Sequence, residues 1–187
     1  MTRRLTRRAV LGGMAAGAGS ALFALTGAQT VLAADASSYR GKERVPRIVQ
    51  QWADAWNALD PQDMATLFTN DGVYEDVAFE TRFEGREGVA LWVSITTASI
   101  ANVRVELVDA FRRGNQAAAT WIFSGTDIGQ IAPDLPPTGK SFSLPAMSFF
   151  ELDGNLIRRV SDHYNLATLL RQLGLPADAY VPAPPPS

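Results

Sequence analysis

The chain of 187 residues is 47% hydrophobic and 9% aromatic, enough for one well-packed domain. It has no cysteine, so disulfides and thiolate chemistry are excluded, and its one histidine, His163, makes a metal site an unfavoured reading. The net charge is −2, which gives no basic field for nucleic acid.

Residues 1–34 carry four arginines and no acid, followed by a mildly apolar run diluted by Gly12, Gly13, Gly17, Gly19 and Gly27. Thr6, Arg7, Arg8, Ala9, Val10 and Leu11 resemble the twin-arginine pattern that sends folded proteins for export. The small residues from Val31 to Ala36 suit a signal peptidase, with cleavage expected after Ala33 or Ala36, so no stable membrane insertion is expected once the leader is removed. Loss of residues 1–34 leaves 13 basic side chains against 19 acidic ones, a net charge of −6. A polar linker over residues 35–43 follows.

Pro46 stands near the start of a helix in which Ile48, Trp52, Ala55, Trp56 and Leu59 recur at helical spacing and predict one buried stripe. Asp60 is a candidate N-cap, with Pro61 behind it and Asp63 in the first turn. The short helix it starts is expected to turn Met64, Leu67 and Phe68 inward and to end at TNDG, residues 69–72. VYEDVAFE, residues 73–80, reads as a strand, and Gly85 as the turn into a third helix through Ala90, Leu91 and Val93. From residue 102 the period changes to two. VRVELVDAF, QAAATWIFSGTD, SFSLPAMSFFEL and LIRRVSDHY are four strand candidates separated by turn sequences. Asn165 can cap a last helix, LATLLRQL, which Gly174 terminates, and residues 176–187 form a proline-rich tail expected to be extended. Helices first and long strands afterwards predict an α+β cone, a curved antiparallel sheet packed against N-terminal helices and enclosing a pocket.

This order of elements, with the tryptophan-bearing first helix, LFTNDGVYEDV, FEGREGV, TGKSFSL, DGNLIRRVSDHYN and LATLLRQLGL, resembles the SnoaL-like branch of the NTF2-like superfamily over residues 44–175. The resemblance implies an NTF2-like cone and, among its members, polyketide cyclases, ketosteroid isomerases, epoxide hydrolases, dehydratases and proteins without catalysis. Set beside ketosteroid isomerases, Asp76 stands where that family has its proton-shuttling base. The two oxyanion-donor positions hold Trp52 and Ser148, which weakens steroid isomerisation. Set beside limonene-epoxide hydrolase, Tyr74 and Asp162 match a tyrosine and a carboxylate, while Ile122 and Ser124 stand where an arginine and a second aspartate are needed. The SnoaL-like cyclases require only a carboxylate on the last strand, and Asp162 matches it.

Period-two geometry independently puts Asp162 and Tyr164 on one face of the last strand and His163 on the other, which keeps His163 off the candidate list. In VYEDVAFE, Tyr74 and Asp76 share a face, but only the resemblance turns that face inward. The expected catalytic set is Asp162, Asp76 and Tyr74, and the expected pocket lining is Trp52, Trp121, Ile122, Ser148 and Tyr164. Bland roles compete with each: Asp76 as a strand-edge carboxylate, Asp162 as a partner of Arg158 or Arg159, Tyr74 and the tryptophans as ordinary core. The implied protein is an exported, cofactor-independent acid/base enzyme of the cyclase or isomerase type. It acts on a small hydrophobic molecule without metal or nucleic acid, and it pairs as a homodimer through apolar residues on the outer sheet face. An epoxide hydrolase and a noncatalytic binding protein are the alternatives.

Overall fold

The computed structural model describes residues 44–129, 131 and 135–178. The leader and linker expectations, and residues 179–187 of the tail, lie outside the described residues.

Helix α1 (Arg47–Ala58) buries Ile48, Val49, Trp52, Ala53, Ala55 and Trp56 as one stripe. Leu59, expected in that stripe, instead ends the helix in the left-handed conformation (φ 56°) and is 41% exposed. Helix α2 (Pro61–Thr66) starts as its sequence predicts: the Asp60 carboxylate accepts the amides of Gln62 and Asp63. It stops sooner than expected. Phe68 already belongs to strand β1 (Phe68–Asp76), so TNDG is not a helix-ending turn but part of a strand. The register of β1 against its neighbour shifts between Phe68 and Val73, and this irregularity absorbs the polar turn-forming residues. Gly72 lies within it because a Cβ there would come within 2.9 Å of the Phe68 Cβ.

VYEDVAFE likewise divides. Its first half completes β1; Val77–Glu80 form a turn, and strand β2 (Thr81–Glu84) returns antiparallel to β1. Asp76 starts that turn by accepting the Phe79 amide at 2.9 Å, a local bond by which an aspartate side chain stands in for a backbone turn contact. Helix α3 (Gly85–Ser99) follows, then strands β3 (Ile100–Arg113), β4 (Gln116–Asp127), β5 (Ser141–Asp153) and β6 (Leu156–Tyr164), and helix α4 (Leu166–Leu173). Asn165 caps α4 through the Thr168 amide, and Gly174 ends it at φ 75°.

The six strands form one sheet in the order β2-β1-β6-β5-β4-β3. All pairs are antiparallel except β1 and β6, which run parallel, so the sheet is mixed where the strand patterns alone suggested an antiparallel one. That parallel pair places Asp76 directly beside Asp162. At the opposite end, Asn57 of α1 donates to the Val105 carbonyl and accepts the Val105 amide, both at 2.9 Å. One amide side chain thereby satisfies part of the open β3 edge and pins α1 to the sheet.

Side chains alternate along the long strands, and the inward set forms the core: Val103, Val105, Ala117, Ala119, Trp121, Phe123, Phe142, Leu144, Phe150, Ile157 and Val160 are all buried with the α1 stripe. The outward set includes Phe111 (57% exposed), Met147 and Phe149, with Val108 (65%) standing out at a register shift in β3.

Candidate active site

The cone encloses a cavity of about 190 Å³ bounded by α1, α3 and the inner face of the sheet. Asp76, Asp162 and Tyr164 supply its carboxylates and phenol, while Trp56, Trp92, Trp121, Phe79 and Phe123 supply most of its aromatic surface. Among the described residues, no arginine, lysine or histidine lines it.

Asp162 sits at the end of two hydrogen-bond chains. Tyr74 donates to its Oδ2 at 2.7 Å and Ser148 to its Oδ1 at 2.6 Å. Tyr74 in turn accepts the indole N–H groups of Trp52 (3.2 Å) and Trp56 (2.9 Å), and Ser148 accepts that of Trp121 (2.9 Å). An indole nitrogen can only donate. Both lone pairs of the Tyr74 oxygen are therefore taken, and its one hydrogen is directed at Asp162. Ser148, which takes the Trp121 hydrogen, likewise has its own hydrogen directed there. Three tryptophans thus fix two hydroxyls as donors to one carboxylate.

Asp76 has a second, separate set of partners. Tyr164 donates to its Oδ2 at 2.7 Å, and the Phe79 amide holds Oδ1. Both carboxylates are almost fully buried, at 4% exposure each. Burial is the main cause that pushes Asp76 up to about 6, against the lowering effect of the Phe79 amide and Tyr164. Burial, and then the charge of Asp76, pushes Asp162 up to about 7, against the lowering effect of Ser148 and Tyr74. Tyr74 and Tyr164 are raised well above the ordinary tyrosine value by burial first and by their carboxylates second, so both phenols keep their protons. The arrangement can accept a proton near neutral pH at a carboxylate whose orientation is locked, and can return it as an acid.

The residues singled out from sequence fall into three places. Asp76, Asp162, Tyr164 and Trp121 line the cavity. Tyr74, Trp52 and Ser148 lie behind it, fully buried, as supports of Asp162 rather than as lining. Ile122 is on the other face: it lies between Trp121 and Phe123, both of which line the cavity, so its side chain points away and it does not belong to the pocket. His163 is exposed beside Ser161. Neither Arg158 nor Arg159 pairs with Asp162; Arg159 bonds Glu75, and both arginines approach Glu151.

Sequence reasoning missed the α3 wall. Trp92, Ile95, Thr96 and Ser99 all line the cavity. Their spacing of i, i+3, i+4 and i+7 is a helical face, and that signal was present in the sequence beside the Ala90–Leu91–Val93 reading. Leu91, on the other side of the helix, is exposed. Trp92 stacks on Phe83 at 5.2 Å and meets Tyr74 at 6.4 Å, so α3 closes directly over the support of Asp162.

The profile described as a SnoaL-like domain matches residues 49–160, and the chain belongs to that family. No curated protein matches the sequence. Among solved structures, a hypothetical protein with a ketosteroid isomerase-like fold from Catenulispora acidiphila, in complex with trimethylamine, is 34% identical, with 74% of this chain and 99% of that chain covered and a TM-score of 0.65. A candidate polyketide cyclase from Pseudomonas putida is 25% identical, with 67% of this chain and 94% of that chain covered and a TM-score of 0.57. A second candidate polyketide cyclase, from Xanthomonas campestris, is 23% identical over 67% of this chain and 93% of that chain, with a TM-score of 0.60; it supports the fold alone.

Proposed function

We propose that the protein is an acid/base enzyme of the cyclase or isomerase type, in which Asp162 removes a carbon-bound proton from a small, largely apolar molecule and returns it at another position. The observation that carries this reading is the Asp162 carboxylate itself. It is buried, raised toward neutrality beside Asp76, and held by hydroxyls that three indoles fix as donors. Asp76 assists by raising Asp162, and Tyr74 by holding its orientation. The trimethylamine bound by the Catenulispora protein supports a compact, branched ligand for a cavity of this size. The test is turnover of conjugated ketones, polyketide-like phenols and small epoxides by the parent and by Asp162→Asn. Turnover in the parent that the variant loses is the expected result; tight binding without any turnover would favour a noncatalytic binding protein instead.

The reading includes export through the twin-arginine route, supported by Arg7 and Arg8 ahead of a weakly apolar run. Replacing both with lysine is expected to abolish export of the intact domain, and undiminished export would reject the assignment. It also includes a homodimer through the outer sheet face, supported by Phe111 on β3 and Met147 and Phe149 on β5, exposed on the two strands that flank β4. Sedimentation at micromolar concentration is expected to return twice the chain mass, and Phe149→Glu to shift it toward the monomer. A monomeric parent would count against the dimer.

A further inference from the structure

The cavity holds two buried carboxylates with no cationic side chain opposite them among the described residues. Asp76 and Asp162 sit side by side in register on β1 and β6, both buried, and their hydrogen-bond partners are all donors suited to the ionised form. Yet no cationic side chain among the described residues lines the space they share. Buried carboxylates are ordinarily paired, because an uncompensated charge in a low-dielectric site is strongly unfavourable. Alongside aliphatic side chains and a few hydroxyls, the space is lined by many rings: Trp56, Trp92, Trp121, Phe79, Phe123 and Tyr164. Aromatic faces carry negative potential, and tryptophan is the strongest of them toward a cation.

Resting on the small-molecule reading above, we propose that the cavity receives an alkylated ammonium group, seated among these rings with Asp76 as its counter-ion. The partition between the carboxylates follows from their surroundings. Asp162 is held between Tyr74 and Ser148, two supports that lie behind the lining. Asp76 is bonded to Tyr164 and to the backbone of Phe79, whose rings meet at 6.2 Å and both line the cavity, so its charge lies within the aromatic surround. An alkylated nitrogen fits better than a primary ammonium. The latter carries three N–H donors and a tightly held water shell; the hydroxyls of Thr81, Thr96 and Ser99 could meet some of those donors, but the rings and aliphatic side chains that make up most of the lining suit N-alkyl groups better. The cavity volume of about 190 Å³ suits such a head group, or one end of a longer molecule that bears it.

The experiment is calorimetry on the full chain near neutral pH with three probes: tetramethylammonium, choline, and the neutral carbon isostere of choline in which a tert-butyl group replaces the trimethylammonium. Choline and its isostere share a shape and differ in charge. Choline is expected to bind about tenfold or more tightly than the isostere, and tetramethylammonium to compete with it. Asp76→Asn is expected to remove most of that preference while isostere binding persists, and Trp92→Leu to weaken choline more than the isostere. Equal or tighter binding of the isostere, or no binding of either cation, would overturn the proposal, and a charge preference unchanged in Asp76→Asn would overturn the counter-ion assignment. If Asp76→Asn does not fold, the comparison of choline with its isostere on the parent still decides. Isostere binding at parity leaves the acid/base reading standing, because that reading is judged by turnover and not by charge preference.

Discussion

Asp162→Asn is expected to lower turnover about a hundredfold or more with little loss of ligand binding, the effect of removing a general base while keeping its shape. The structure adds a second expectation. Tyr74 and Ser148 both direct a hydrogen at residue 162, since their lone pairs receive indole N–H groups. The asparagine oxygen can meet one of them; its NH₂ must face the other, donor against donor. That conflict costs about 1–3 kcal/mol, and it is offset in part by the loss of a buried charge. The balance depends on pH, with a definite sign. A carboxyl whose folded value is raised from 3.8 to about 7 binds its proton more tightly in the folded state. Its contribution to stability is therefore full below the unfolded value and is lost as pH rises toward about 7. The parent melting temperature should fall over that window, and the fall should be smaller in Asp162→Asn. Full activity in the variant on any substrate the parent turns over would sink the proton-transfer mechanism, and identical pH slopes would contradict the electrostatic account.

Tyr74→Phe is expected to be the most damaging substitution of a single atom in the support of the site, lowering stability by about 2–5 kcal/mol. Removing the hydroxyl leaves the Trp52 and Trp56 indole N–H groups without their partner in a fully buried setting and takes one of the two hydroxyl donors from Asp162. A merely aromatic role for Tyr74 predicts almost no change, since phenylalanine preserves its stacking on Phe68 at 5.8 Å. The kinetic consequence separates the two further. The Tyr74 hydrogen bond lowers the Asp162 value, so its loss should raise it and move the activity limb that depends on ionised Asp162 to higher pH. Denaturant unfolding and a pH–rate profile read these effects independently. An unshifted limb together with unchanged stability would contradict the role assigned to the hydroxyl.

Much of the fold was legible because the patterns that specify it are local. Strand β4 and strand β6 begin and end where alternation predicts, and Asn165 and Gly174 bracket α4 through the ordinary cap geometries. The misreadings arise where a tertiary partner overrides a local signal. TNDG has turn composition, but pairing with β6 draws it into a strand with a register shift. VYEDVAFE reads as one strand by its β-branched and aromatic content, yet the Asp76 side chain captures the Phe79 amide and stops the strand at its centre. The parallel β1–β6 pair has no signature within either strand, and it is the feature that sets Asp76 next to Asp162. For the site, alternation is sufficient to put Tyr164 with Asp162 and should have put Ile122 opposite Trp121; assigning Ile122 to the pocket by resemblance ignored that period. The adjacent carboxylates of β1 also divide by face: Asp76 turns into the cavity, while Glu75 turns toward Arg159. The Trp–hydroxyl–carboxylate chains were beyond sequence reasoning, because they join residues 14 to 88 positions apart on α1, β1, β4, β5 and β6.

The account rests on a buried carboxylate pair poised near neutrality, and the most direct measurement is the titration of the Asp76 and Asp162 carboxyl carbons by NMR, assigned with the two asparagine variants. The pair is expected to titrate in two steps near about 6 and about 7, with the first ionisation raising the second. Midpoints for both groups at or below the ordinary 3.8 would contradict it, since carboxylates ionised that readily would be paired or solvated and too weakly basic for the proton transfer assigned to Asp162.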